Sequence, residues 1–104
     1  MLGKIRELPA DIFEIDFPTD LSLARKALGL DKVIMGNVST VKEMLSGTPE
    51  DVYKACKRCH KVCGKFHIVG AGCEISPNTP PENLRAMVAY AREHKPDEYL
   101  NFAI

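Results

Sequence analysis

The sequence predicts a parallel α/β domain. Three apolar runs alternate with helix-compatible segments, and glycine or proline punctuates the joints. The runs are Asp11 to Phe17, Lys32 to Val38 and Phe66 to Gly72. Each is dense in apolar side chains, as expected of parallel strands covered on both faces. Right-handed crossovers then bring the strand ends to one side: Asp16-Phe17-Pro18, Gly36-Asn37-Val38-Ser39 and Gly70-Ala71-Gly72-Cys73-Glu74. A length of 104 residues accommodates one domain, spanning 1–104.

Taken in order, Leu2, Ile5 and Leu8 have helical spacing before Pro9 and predict, over residues 2–8, the end of a helix whose beginning is missing or unusually short. Pro18 closes the first strand. Thr19 and Asp20 offer an N-cap to a helix bearing Leu21, Leu23, Ala24, Ala27 and Leu28, which Gly29 ends. After the second strand, Val41 to Leu45 forms a short helical turn ended by Gly47. Thr48-Pro49-Glu50-Asp51 opens the next helix with an N-cap, a proline at the first position and acids facing the dipole. That helix is expected to reach Cys63 and stop at Gly64. Thr79-Pro80-Pro81-Glu82 reads as a capping box for the last helix, which ends near His94-Lys95-Pro96.

Fourteen basic and fourteen acidic side chains cancel, so neither a basic stripe for nucleic acid nor an acidic tail is present. No run has the length of a signal-peptide core or a membrane span, which predicts a cytoplasmic protein. Its four cysteines are then expected as thiols or metal ligands rather than disulfides. Three strands leave two open edges, so the chain is expected to need a partner or to self-associate into an oligomer.

Cys56-Lys57-Arg58-Cys59-His60 matches the pattern of c-type haem attachment. It falls inside a predicted helix, however, where Val52, Cys56, Cys59 and Cys63 form an amphipathic stripe, and packing is the reading adopted. His67 lies in the third strand, roughly 20 Å from Cys73 at strand rise, too far to share a metal. It is read as structural, and His94 as a cation near a helix C-terminus. Asn37 follows Gly36 at a strand end, where it either binds a ligand or closes a turn. Asp16 is an acid in an apolar strand, a candidate for a perturbed pKa or for a satisfied acceptor. Cys73 is the best-placed nucleophile or ligand: Gly70 and Gly72 leave room beside it, and Pro77, Pro80 and Pro81 stiffen the loop after it.

Three blocks recur in order: Gly36-Asn37-Val38-Ser39-Thr40, Leu45-Ser46-Gly47-Thr48-Pro49-Glu50-Asp51-Val52, and Gly72-Cys73-Glu74-Ile75-Ser76-Pro77-Asn78-Thr79-Pro80-Pro81-Glu82-Asn83-Leu84. Together they resemble the C-terminal part of the uroporphyrinogen decarboxylase superfamily. The cobamide-dependent methyltransferases, including those of the methylcobamide:coenzyme M type, are the most similar branch. The resemblance implies a TIM (β/α)8 barrel of which this chain is the last three β/α units.

It also implies a zinc that activates a thiol, and a corrinoid protein partner that donates the methyl group. Cys73 matches the cysteine zinc ligand at the glycine-flanked strand end, where the decarboxylases carry histidine. Asp16 and Asn37 match strand-end positions facing the substrate pocket. The His-x-Cys pair that completes the family's zinc site does not occur in these residues. A single thiolate cannot hold catalytic zinc, which takes three protein ligands and an open position. The chain alone is therefore expected to be inactive: a fragment or split subunit of a methyltransferase. The alternatives are a fragment of a decarboxylase-like enzyme, or a non-catalytic module that completes a partial barrel.

Overall fold

The structure, a computed structural model, describes residues 7–29, 31–72 and 74–98. Three strands, β1 (Ile12–Glu14), β2 (Val33–Met35) and β3 (His67–Ile68), form one parallel sheet in the order β1-β2-β3. Three α-helices alternate with them: α1 (Leu21–Leu28), α2 (Pro49–Cys63) and α3 (Pro81–Glu93). A π-helical turn, Thr40–Leu45, precedes α2, and a 3-10 turn, Pro96–Glu98, follows α3. Successive strands are neighbours, as the alternating pattern predicts, and α2 packs against both α1 and α3. No described helix is long and apolar enough to cross a membrane. The helix expected over residues 2–8 lies outside the described residues except for Glu7 and Leu8, which form no helix.

The regular strands are shorter than the apolar runs, but ladder contacts continue past them. The Ile15 amide donates to the Met35 carbonyl at 3.0 Å, and Val38 bridges Ala71. The register pairs Phe13 with Ile34 and Ile34 with His67, so these side chains share the sheet face that meets the helices. Phe13, Ile15 and Ile34 join Ala24, Leu28, Val52 and Cys56 in the core. Glu14, Met35 and Ile68 share the other face. There Ile12 is 53 % and Ile68 40 % exposed. Among the described residues helices cover one face, while the other is left exposed or half-buried, Val33 and Met35 being half-buried there. That is the shape of a barrel arc, whose inner face is covered only by the remaining strands.

The helix boundaries follow local chemistry. Asp20 caps α1 by accepting from the Ser22 amide at 2.9 Å, and Gly29 closes it at φ 86°. Thr48 and Asp51 form a reciprocal capping box on α2, with bonds of 3.2 and 2.9 Å. The turn at Thr40–Leu45 is wider than an α-turn. Ser39 Oγ accepts from Lys42, while Glu43 Oε1 accepts from the Ser39 amide four residues back.

One cap differs from its sequence pattern. The box expected from Thr79 and Glu82 does not form: α3 begins at Pro81, with Pro80 as N-cap and no side-chain cap bond. A residue before proline is pushed out of the helical region, and Pro80 sits at φ −58°, ψ 134° ahead of Pro81. The helix therefore starts later than the sequence pattern suggests. The Thr79 amide instead donates to Ser76 at 3.1 Å, closing a turn.

Candidate functional site

The carboxyl ends of the strands do converge. Asn37 is the knot: its Nδ2 donates to the carbonyls of Asp16 at 3.0 Å and Thr19 at 2.7 Å. Its Oδ1 accepts from the Cys59 thiol of α2 at 3.7 Å. The peptide before it, Gly36-Asn37, is cis. Gly36 is required there, because its φ is 122° and a Cβ would lie 2.6 Å from the Ile15 carbonyl oxygen. From the third strand, the Gly72 amide donates to Val38 at 2.8 Å, and a Cβ on Gly72 would collide with the Phe17 backbone. Close backbone approach, rather than ligand space alone, accounts for this glycine.

Beside the knot lies a cavity of about 620 Å³ whose walls include Phe17, Thr19, Asn37, Lys42, Arg58 and Cys59. The Lys42 and Arg58 cations are exposed at this wall, and the Asp20 carboxyl nearby is held below its usual range by the Ser22 hydroxyl and amide. Such a mixture suits a ligand carrying an anionic or carbonyl group beside an apolar body. Asn37 lines this cavity and Asp16 does not. Asp16 is exposed at the end of β1, where its Oδ1 accepts from the Thr19 hydroxyl at 3.1 Å. By strand alternation it follows Glu14 onto the open face of the sheet.

The Cys56-Cys59-His60 pattern is packing. Val52, Cys56, Cys59 and Cys63 are all buried along α2. Burial pushes the Cys56 and Cys63 thiols up to about 12 and raises Cys59 as well, so the thiolate that metals and electrophiles need is suppressed. Both ring nitrogens of His60 are engaged, with the Tyr90 hydroxyl at 2.6 Å and the Pro96 carbonyl at 2.9 Å. Among the described residues no group of three or more His, Cys, Asp or Glu side chains is placed to hold a metal. Cys73 lies outside the described residues. The described residues thus provide no zinc site of their own.

His94 caps the end of α3, its Nδ1 donating to Glu98 at 2.6 Å and its Nε2 lying 2.8 Å from the Tyr53 hydroxyl. His67 Nε2 donates to the Gly36 carbonyl at 2.5 Å, and its ring stacks on His60 at 6.1 Å between centroids.

Two polar residues of structural weight carry no motif signal. Arg25, fully buried in α1, donates to the carbonyls of Gly29, Lys32 and Phe66. Asn83, inside the third sequence block, donates to Met44 at 2.8 Å and Gly47 at 2.9 Å, closing the π-helical turn from α3. An apolar stripe interrupted by one arginine was the available hint for the first. For the second, only a tertiary contact reveals the role.

Comparison with known proteins agrees with this architecture. The profile of the family Uroporphyrinogen decarboxylase (URO-D) matches residues 1–94. A methylated-thiol–coenzyme M methyltransferase of Methanosarcina mazei is 34% identical over 93 residues, covering 89% of this chain and 24% of the relative. A methylcobamide:CoM methyltransferase of Methanosarcina acetivorans is 38% identical over 63 residues, covering 61% of this chain and 18% of the relative. A uroporphyrinogen decarboxylase of Chlorobaculum tepidum is 28% identical over 98 residues, covering 89% and 27%. The solved structure of a methyltransferase from Methanosarcina mazei superposes with a TM-score of 0.75 at 23% identity, covering 88% of this chain and 27% of that one. The chain spans about a quarter of the length of such relatives, and its three β/α units are an arc of their TIM-barrel fold. By the family profile and the shared arc of barrel, this chain belongs to the uroporphyrinogen decarboxylase family.

Proposed function

We propose that the chain is the C-terminal part of a barrel enzyme that moves a methyl group from a corrinoid protein to a thiol. The observation that carries this reading is the tying of all three strand ends at one end of a sheet whose other face is open. In a β/α barrel that end is where catalytic residues gather. The methyltransferase relatives, at 34% and 38% identity, favour this branch over the decarboxylases at 28%.

On this reading Cys73 is one zinc ligand, and the other two come from a part of the barrel that these residues do not supply. Bound zinc would hold a thiol as its thiolate. Asn37 shapes the pocket wall from its knot, and Asp16 faces the barrel interior from the end of β1. The partners are the remaining β/α units and the corrinoid protein. Alone, the chain has no turnover.

The test joins these residues to complementary N-terminal β/α units in a full-length barrel and compares Cys73→Ser with the parent. Zinc per barrel and methyl transfer from methylcobalamin to a thiol should both fall. Survival of both in the variant overturns the ligand assignment. Loss of carboxyl groups from a porphyrinogen by the same barrel would favour the decarboxylase alternative. A barrel inert in both assays would favour the assembly-module alternative.

A further inference from the structure

The histidines of this chain gather along one seam, away from the cavity. His94 stacks on Tyr90 at 4.1 Å between ring centroids, Tyr90 meets His60 edge-on at 5.7 Å, and His60 stacks on His67 at 6.1 Å. The row ends at the Gly36 carbonyl, which His67 Nε2 reaches at 2.5 Å. A carbonyl only accepts, so the proton of the neutral ring sits on Nε2. Gly36 adjoins Asn37, whose Nδ2 spends its donors on Asp16 and Thr19.

Nothing else among the described side chains bonds to the Gly36 carbonyl. Its own amide is engaged separately, donating to Ile68 at 3.3 Å. The groups facing His67 are His60 from α2, Arg25 from α1, and Tyr90 and His94 from α3 across a small cleft. Each is itself held: His60 by Tyr90 and Pro96, His94 by Glu98, and Arg25 by three carbonyls. His67 is therefore walled in by groups that are themselves held. With no hydrogen-bond partner among the described residues on its buried Nδ1, its one side-chain hydrogen bond is the one to Gly36.

From this we infer that His67 is a positioning residue for the cavity wall: by holding the Gly36 carbonyl from the helix side, it orients Asn37 so that its amide ties the β1–α1 loop shut. The inference goes beyond the proposed reaction and rests only on the Gly36-Asn37 junction, so a failed zinc test leaves it standing. It requires a donor at residue 67, not merely a ring.

The test uses the ¹⁵N-labelled chain near neutral pH and compares His67→Phe, which keeps a ring, with His67→Gln, which keeps an N–H donor. Exchange of the Asn37 side-chain amide protons with water should quicken about tenfold in His67→Phe, the size of one net hydrogen bond, and return near the parent rate in His67→Gln. Amides of Cys56 and Cys59 in α2 should stay protected in both, separating a local loss of position from unfolding. Unchanged Asn37 exchange in His67→Phe overturns the inference. So does a His67→Gln protein as fast as His67→Phe. If His67→Phe does not fold, His67→Met, which also lacks a donor, takes its place under the same criteria.

Discussion

The guanidinium of Arg25 in α1 reaches the carbonyl of Phe66 at 2.8 Å, 41 positions along the chain, while its other terminal nitrogen spans Gly29 and Lys32 at 2.9 and 2.6 Å. One buried side chain thus gathers the loop after α1 and the starts of β2 and β3. The clasp lies at the end of the sheet opposite the Asn37 knot, so the sheet is pinned at both ends.

Replacing Arg25 with Met should be severe, because the carbonyls of Gly29, Lys32 and Phe66 lose a donor together. Phe66 keeps the Ile34 amide at 3.0 Å, so the loss falls mainly on the part-buried Gly29 and Lys32 carbonyls. Leaving these unpaired costs about 1–3 kcal/mol each, and partial hydration of the opened site limits the sum to about 3 kcal/mol. Urea titration of the variant beside the parent should show a midpoint shifted down by that amount or no folded baseline. A loss under about 1 kcal/mol would mean the clasp contributes little.

Asn83→Leu should loosen the π-helical turn without disturbing the sheet. It removes donors to Met44 and Gly47 across the α3 contact, for a loss of about 2 kcal/mol. Hydrogen exchange should show opening confined to residues near Met44 and Gly47 before global unfolding. Uniform loss of protection through β1 and β2 would contradict this.

The α2 thiols should be inert in the folded protein. With Cys56 and Cys63 pushed up to about 12 by burial, iodoacetamide at mildly alkaline pH should label them only after denaturant is added. Mass spectrometry of digests from native and unfolded samples makes the comparison directly. Rapid native labelling of any of Cys56, Cys59 or Cys63 would show that the stripe opens.

Acid should weaken the fold through His67. Burial, with His60 and Arg25 nearby, lowers its pKa from 6.5 to about 4, against the opposing hydrogen bond to Gly36. The folded state thus favours the neutral ring. Its contribution is complete above about pH 6.5 and declines as pH falls toward 4, where the unfolded chain binds the extra proton. The loss across that window is up to about 3 kcal/mol. Denaturant midpoints taken between pH 7 and 4 should fall more steeply in the parent than in His67→Gln; parallel curves would exclude His67 as the cause.

Much of the fold is legible before any coordinates. The extents of α1 and α2 follow from Asp20, Gly29, Thr48 and Gly64, since capping is local and each motif spans a few neighbouring residues. The burial of Cys56, Cys59 and Cys63 follows from helical period alone. The convergence of the three strand ends follows from parallel alternation, a rule about connections rather than contacts. The cap at Thr79 misleads because two overlapping local rules, the capping box and the residue-before-proline effect, compete there. The second wins, since a steric clash at Pro80 outweighs one hydrogen bond.

By itself, then, the sequence determined the order of elements, the parallel class, the buried stripe of α2 and the family, all properties of near-neighbour spacing or of blocks in series. Only the tertiary structure decided which face of the sheet is covered, that Asn37 spends its amide on Asp16 and Thr19, and that Arg25, His67 and Asn83 are the polar fasteners. Apart from the nearby Gly29 and Lys32 carbonyls that Arg25 also takes, those outcomes depend on carbonyls brought from 18 to 41 positions away. No local pattern encodes such distances, because a buried donor is satisfied by whichever acceptor the folded chain delivers to it.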